Sequence, residues 1–311
     1  MAHGEDFSVI GQPQTSPNSE SLMRWATYAS VSVACVLIVG KFYAWMETDS
    51  IGLLSTLIDS FLDAATSIVN LIAVRHSLQP ADLEHRFGHG KAEALAGLMQ
   101  SAFISGSAVF LLIEAIDRLL NPQTISDANA GYIVMVLSIV LTLALVIFQR
   151  YVIKRSGSLV ISADSLHYQT DILINASVIL LLYLSSQADI PLADPIFAIV
   201  ISIYIVRTAW QIGTAAFQIL MDHELPDTNR KTIRQIVLAQ PGVLGMHDLR
   251  TRSSGTQIFI QLHLELDGEM TLNKSHKISD HVEQKIVEVF SNAEVIIHED
   301  PEGVDEIKAE F

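Results

Sequence analysis

LIDSFLD at residues 57–63 and LHYQTD at residues 166–171 are the two stretches that decide the fold of this chain. Each puts two ionisable side chains four residues apart inside an apolar run: Asp59 with Asp63, and His167 with Asp171. Four residues are close to one helical turn, so each pair shares a helix face. An Asp at mid-bilayer costs about 3 kcal/mol on insertion scales, and like charges one turn apart repel further. Such groups persist in a membrane only where something offsets the cost. A lone Asp often does this as a structural hydrogen-bonder, and a proton relay uses the same residue types. Two pairs at matching depth favour a bound cation.

The runs around these pairs are long enough to span a bilayer. Six segments stand out, near 24–46, 51–76, 92–120, 130–152, 161–185 and 192–216, separated by polar breaks. Asp59 and Asp63 lie roughly 12–18 Å from the outer end of the second segment at 1.5 Å per residue, and Asp171 lies roughly 15 Å from the inner end of the antiparallel fifth. The pairs therefore meet near mid-membrane. Three carboxylates and one imidazole suit tetrahedral Zn²⁺, and the imidazole tilts selectivity away from Mg²⁺ and Ca²⁺. Gly97 and Ser105-Gly106-Ser107 read as close-packing positions between helices. The second and fourth loops hold Arg75, Arg86, Lys91, Arg150, Lys154 and Arg155, whereas the odd loops hold only Arg118. The positive-inside rule then places both termini in the cytosol.

Composition agrees. Half of the 311 residues are hydrophobic, and 17% are charged, below the roughly one quarter of soluble proteins. From Asp222 onward nine Lys/Arg face seventeen Asp/Glu, so this tail carries much of the net charge of −15. That balance argues against nucleic acid and suits cations. A single cysteine, Cys35, excludes an intrachain disulfide and a thiolate zinc cluster. No cleavable signal peptide is evident; residues 1–21 are polar and read as a disordered tail.

Beyond residues 22–221, which form the expected six-helix transmembrane domain, the pattern changes. Residues 222–311 read as a cytosolic α+β domain with a short acidic end. A helix is expected at 228–239, a strand at 243–251, a strand at 256–266, a helix at 273–290 and a strand at 293–298. The second strand alternates cleanly, with Ile258, Ile260, Leu262, Leu264 and Leu266 on one face. Two helices then cover one face of a small sheet. His247, His263, His276 and His298 fall on or near these elements, as does Asp300; alone they are no more than scattered histidines. The cytosolic loop ADLEHRFGHGKAEA, residues 81–94, sets Asp82, His85 and His89 at spacings of three and four. Three such ligands can hold a divalent metal, although a solvated loop has the same look.

Six spans with DxxxD on the second and HxxxD on the fifth, then an αββαβ tail, resemble the cation diffusion facilitator family. The stretches LQPADLEHRFGHGKAEALAGLMQSAFISGSA (78–108), ADSLHYQTD (163–171) and VLGMHDLRTR (243–252) carry the resemblance, with the bacterial YiiP-type zinc and iron efflux transporters as the nearest branch. It implies a transport site of Asp59, Asp63, His167 and Asp171, and a loop metal site of Asp82, His85 and His89. It also implies a cytosolic-domain metal site drawing on His247, His263, His276, His298 and Asp300, in a ferredoxin-like fold. Lys91 and Asp222 match a structural ion pair. The implied protein is a homodimer in a bacterial inner membrane. It exchanges cytosolic Zn²⁺, with Cd²⁺ and Fe²⁺ as further substrates, for external H⁺, and Zn²⁺ also serves as a structural or regulatory ion. No organic cofactor is expected. One departure stands between His298 and Asp300, where Glu299 replaces an expected Gln.

Metal and protons would compete for one set of side chains, because binding requires neutral His and ionised Asp. Imidazole titrates near neutral pH, which makes His167 the natural proton carrier. Two rivals differ in class. A membrane metalloenzyme lacks support, since there is no HExxH and no nucleophile constellation. A metal-sensing receptor would need only the tail.

Overall fold

The computed structural model describes residues 17–48, 51–120, 132–187 and 193–303. The first sixteen residues, most of the third and fifth inter-helix loops and the acidic end at 304–311 lie outside the described residues. The chain divides into two compact units, 1–217 and 218–311.

The first unit contains six long helices: α1 Pro17–Thr48, α2 Ile51–Ser77, α3 Lys91–Leu120, α4 Tyr132–Ser156, α5 Leu159–Gln187 and α6 Ala193–Leu220. The expected disordered tail is corrected at its end, because α1 begins at Pro17 rather than after residue 21. Proline suits a helix's first turn, where its missing N–H costs nothing. Among the described residues five of the helices are long and apolar enough to cross a membrane. Large apolar side chains such as Val39, Phe110, Ile147 and Trp210 point outward, as lipid-facing positions do.

Apolar packing between these helices is thin, and polar contacts fix them instead. Asp164 on α5 is buried, and its carboxyl group is met from three other helices. Asn70 Nδ2 of α2 donates to Oδ1 at 2.9 Å, and Gln149 Nε2 of α4 donates to Oδ2 at 2.7 Å. Ser30 Oγ of α1 donates to the same Oδ2 at 2.6 Å and accepts from Gln149 Nε2 at 3.0 Å. One turn on, Tyr168 Oη lies 3.0 Å from Ser67 Oγ of α2. Polar groups removed from water keep their cost low only when paired, so this knot fixes the mutual register of α1, α2, α4 and α5. Ile104, Ala108, Leu166, Ile205 and Ala209 close the contact of α3, α5 and α6. The close approach there occurs at Gly213, where an added Cβ would stand 2.8 Å from Ser101 Oγ. Gly106, expected to be a close-packing position, faces open space.

The second unit runs α7 Asp227–Leu238, β1 Gly245–Ser254, β2 Gln257–Leu266, α8 Leu272–Val289 and β3 Ala293–Pro301. The sheet order is β1-β2-β3, with β1 antiparallel and β3 parallel to β2. The alternation of β2 puts Ile258, Ile260, Leu262, Leu264 and Leu266 into one core with Ile233 and Val237 of α7 and Val282 and Ile286 of α8. The opposite face of the sheet is left for polar side chains. One irregularity matters there: β1 carries an extra residue between His247 and Arg250, where Asp248 takes φ 47°.

Removing the acceptor at the centre of the helix knot should destabilise the first unit. Asp164→Ala strands Asn70 Nδ2 and leaves Gln149 and Ser30 with only each other and the Ala26 carbonyl, at about 1–3 kcal/mol per buried group left unsatisfied. Its thermal midpoint in detergent should fall well below wild type. Ser32→Ala, which removes an exposed hydroxyl bonded only to Tyr28 of its own helix, should leave the midpoint in place. Equal midpoints for the two variants would mean that the knot does not hold the helices.

Candidate metal centres

Three clusters of imidazole and carboxylate groups occur among the described residues. The first lies between α2 and α5. Asp63 Oδ1 is 2.7 Å from His167 Nε2, and ligand atoms of Asp63, His167 and Asp171 all lie within 4.8 Å of one another. All three side chains are half-buried. A separation of 2.7 Å between imidazole nitrogen and carboxylate oxygen requires a hydrogen between them, since both otherwise present lone pairs. A metal ion binding both atoms must displace that proton. Asp59, one turn earlier on α2, is exposed and stands outside the group of three.

A fourth charge near this cluster is invisible to the pairwise pattern. Lys41 of α1 donates from Nζ to Ser60 Oγ at 2.7 Å and to the carbonyl of Thr56 at 3.0 Å. Its electrostatic neighbours are Asp63, Asp171 and Asp59. The rule that singled out the aspartates, a charge in an apolar run, applies equally to Lys41 in VLIVGKFYAW, and to Asp164.

The second cluster is in the loop joining α2 to α3. The Asp82 carboxylate accepts the backbone N–H groups of His85 at 2.6 Å and Glu84 at 2.9 Å. These bonds, His85 first, favour the ionised form and hold the carboxyl below the usual carboxylate range. Asp82 Oδ1 is 3.5 Å from His85 Nδ1, and Oδ2 is 3.4 Å from His89 Nε2. Gly88 takes φ +76° and bonds back to the carbonyl of His85, which folds the loop so that both rings face Asp82. His89 is buried, and its Nδ1 has no partner.

The third cluster is a row of histidines across the sheet. Strand register sets His247 opposite His263, and His263 opposite His298. Ring centres are 4.9 Å and 4.7 Å apart along the row. Asp300 sits beneath them, buried. Its Oδ2 is 2.8 Å from His263 Nδ1 and 3.4 Å from His247 Nε2, and its Oδ1 is 3.1 Å from His298 Nε2. Three imidazoles around one buried carboxylate form a donor set fitted to a borderline divalent ion. His276 is not brought to this row; it lies exposed on α8, 3.7 Å from Asp280. Glu299 lies on the opposite face of β3, where Ser279 Oγ donates to it at 2.6 Å. The carboxylate that replaces an expected amide is thus turned toward α8 and away from His298. Asp222 bonds Arg252 at 3.2 Å in the second unit, and Lys91 opens α3 in the first.

Apolar spanning helices around a carboxylate–imidazole cluster, followed by a small domain with its own histidine cluster, define an integral membrane transporter of metal cations. Known proteins agree in detail. Residues 27–221 match the cation efflux transmembrane domain, and residues 225–302 match the cytoplasmic domain of cation efflux proteins. The cation-efflux pump FieF of Pectobacterium atrosepticum is 46% identical over 286 residues, covering 92% of this chain and 95% of that protein. FieF of Shewanella oneidensis is 47% identical over 283 residues, covering 91% and 95%. The metal-bound C-terminal domain of the CzcD transporter from Thermotoga maritima aligns with 26% of this chain and all of that domain, at 27% identity and a TM-score of 0.25. The chain belongs to the cation diffusion facilitator family of cation efflux transporters. It is a transporter rather than an enzyme, with a cytoplasmic dimerisation domain.

The extra residue in β1 generates a test. With Asp248 taken into a regular ladder continued from the pair Ser254–Gln257, His247 would stand opposite Leu264, on the core face. Deleting Asp248 should remove the irregularity and leave Leu249 opposite Leu262 with His247 still opposite His263, so zinc binding by this domain should stay close to wild type, whereas His247→Ala should weaken it about 10–100-fold, the scale of losses at metal sites. Zinc content after dialysis against a graded chelator reads the change. A loss on deletion as large as that of His247→Ala would show that the irregularity itself, and not the strand register, holds His247 in the row.

Proposed function

We propose that the chain exports Zn²⁺ from the cytosol in exchange for protons. Cd²⁺ and Fe²⁺ are further substrates, and Asp59, Asp63, His167 and Asp171 are the transport site. The single observation that carries this is the 2.7 Å contact between Asp63 and His167, with Asp171 within 4.8 Å of both. That contact holds a proton where a metal ion would sit. Facing the cytosol, the site gives up its proton and takes the ion. Facing outward, the pair is reprotonated and the ion leaves, so the same atoms couple the two fluxes. Asp59 belongs to the site by its helix face. It completes a four-donor set, of the kind tetrahedral Zn²⁺ takes, when α2 and α5 close on the ion. Access alternates by rocking of one group of helices against another, as in other secondary transporters.

The orientation that fits efflux has both termini in the cytosol of a bacterium whose inner membrane holds the first unit, as the excess of Lys and Arg in the even loops supports. The protein works as a homodimer. His247, His263, His298 and Asp300 bind zinc as a resident ion, with His276 supplied near the contact between protomers. When bound, that zinc supplies charge neutralisation and a cross-link. The residues hold it because Asp300 is already aligned by three imidazoles. Lys91 and Asp222 fasten the membrane helices near the same contact, on the strength of the family resemblance. Allosteric control then means that tail zinc and transported zinc share a coupling free energy.

Proteoliposomes loaded with a zinc dye test the transport reading. Wild type should move Zn²⁺ at a rate that rises with an opposing pH gradient, and Asp63→Ala should move none. Gradient-independent flux in wild type would remove proton coupling, and wild-type flux in Asp63→Ala would remove this site. The dimer reading has its own test. Zinc should tighten dimerisation of the wild-type chain in detergent about tenfold or more, the lower end of metal-site effects. Asp300→Ala should show no such tightening by sedimentation; an equal response in both proteins would remove the tail from dimer control.

A further inference from the structure

The loop cluster has a neighbour outside the three residues assigned to it. His76, in the last turn of α2, places its ring centre 4.6 Å from that of His89, at an interplanar angle of 66°. His85 lies at the same 4.6 Å from His89. Two imidazoles bound to one tetrahedral ion, with each nitrogen about 2.0 Å from the metal, have ring centres roughly 5 Å apart. The histidine row in the second unit keeps that spacing, at 4.9 Å and 4.7 Å. In the loop, His89 therefore lies at metal-sharing distance from two imidazoles, and its own Nδ1 is buried without a partner among the described residues. Asp82, whose carboxylate accepts the backbone N–H groups of His85 and Glu84, supplies the negative charge.

We propose that His76 is a fourth protein ligand of the loop metal centre. The proposal rests on the reading that Asp82, His85 and His89 bind a divalent metal. With His76 the donor set becomes three imidazoles and one carboxylate, a closed tetrahedral shell of the structural-zinc type rather than a three-ligand site with an open position. Position favours it twice. The last carbonyls of α2 point their negative ends toward a cation held there. The exposed His76 side chain is free to turn onto the ion without a packing cost. The consequence is mechanical. His76 shares α2 with Asp59 and Asp63, thirteen residues or about 20 Å beyond Asp63, while His89 is two residues from the start of α3. An ion held by both ties the cytosolic end of the transport-site helix to its neighbour.

Cobalt titration of the full-length chain in detergent tests this, with wild type, Asp82→Asn, His76→Gln and His76→Cys compared. The wild-type spectrum minus that of Asp82→Asn isolates the loop ion. It should show intense tetrahedral d–d bands, and His76→Gln should weaken those bands and lower affinity about 10–100-fold. His76→Cys should add a thiolate-to-cobalt charge-transfer band that disappears when Asp82→Asn is combined with it, which separates it from any contribution of Cys35. If wild type and Asp82→Asn bind cobalt identically, the loop does not bind metal and the proposal falls with that reading. If the loop ion is present but His76→Gln leaves its spectrum and affinity unchanged and His76→Cys gives no charge-transfer band, the loop site stands and His76 is not its ligand.

Discussion

A carboxyl group inside hydrocarbon has to be answered by donors, and in the membrane unit Asp164 is answered by Ser30, Asn70 and Gln149 from three different helices. Lipid-facing helices gain little from apolar contact with each other, because the surrounding tails are as apolar as they are. Polar contacts with one workable geometry therefore set the register. That register has a chemical consequence one turn along α5. His167 lies three residues beyond Asp164 and follows it rigidly, and Asn70 lies seven residues beyond Asp63 on α2. Fixing Asn70 against Asp164 brings Asp63 level with His167, where the two meet at 2.7 Å. The cluster of Asp63, His167 and Asp171 is in this sense set by the knot beside it.

The second unit reaches a comparable arrangement by a different constraint. Strands have a side-chain period of two, so β2 sends its Ile and Leu residues to the core and His263 to the other face without further specification. Parallel pairing brings His298 beside His263, and the neighbouring Asp300 falls on the same face two residues on. His247 alone depends on an irregularity, the extra residue at Asp248, which shifts β1 by one position and so changes the face of the residues before it. A metal cluster built on three paired strands moves only if the sheet moves, which suits a resident ion.

Much of this was legible beforehand, and the limits have physical causes. The strand alternation at Ile258–Leu266 and the acidic pairs in apolar runs are periodic signals, and both gave the right elements. Helix periodicity gives which face a residue occupies but not how near the facing helix comes. Asp59 and Asp63 share a face, yet only Asp63 meets His167 in the structure. Lys41 and Asp164 escaped because attention to spaced pairs passes over single charges, although a lone buried charge carries the same cost. His76 sits among Arg75 and Ser77 at a helix end, where a polar residue is unremarkable, and only the folded loop brings it to His89. His276 illustrates the converse: a histidine near the right elements in sequence, placed by α8 beside Asp280 instead.

The three clusters differ in how completely they are assembled, and that difference follows the demands placed on each in the function proposed above. A site that must load on one side of a membrane and empty on the other cannot hold its full donor set fixed in every conformation, or the ion would not leave. Asp63, His167 and Asp171 stand together while Asp59 stands apart, so a complete shell depends on closure of α2 and α5, and opening removes a donor. An ion then shifts the balance of conformations only by its preference for the closed one. Lys41 stands against the same carboxylates, held to α2 through Ser60 and the carbonyl of Thr56. In the row, His247, His263 and Asp300 stand together on a sheet with His298 reaching Asp300 from β3, and the loop centre is folded around an Asp82 carboxylate held by backbone N–H groups. Exchange belongs to the cluster whose donors lie on separate helices, and retention belongs to those whose donors are held by paired strands or a tightly bonded loop.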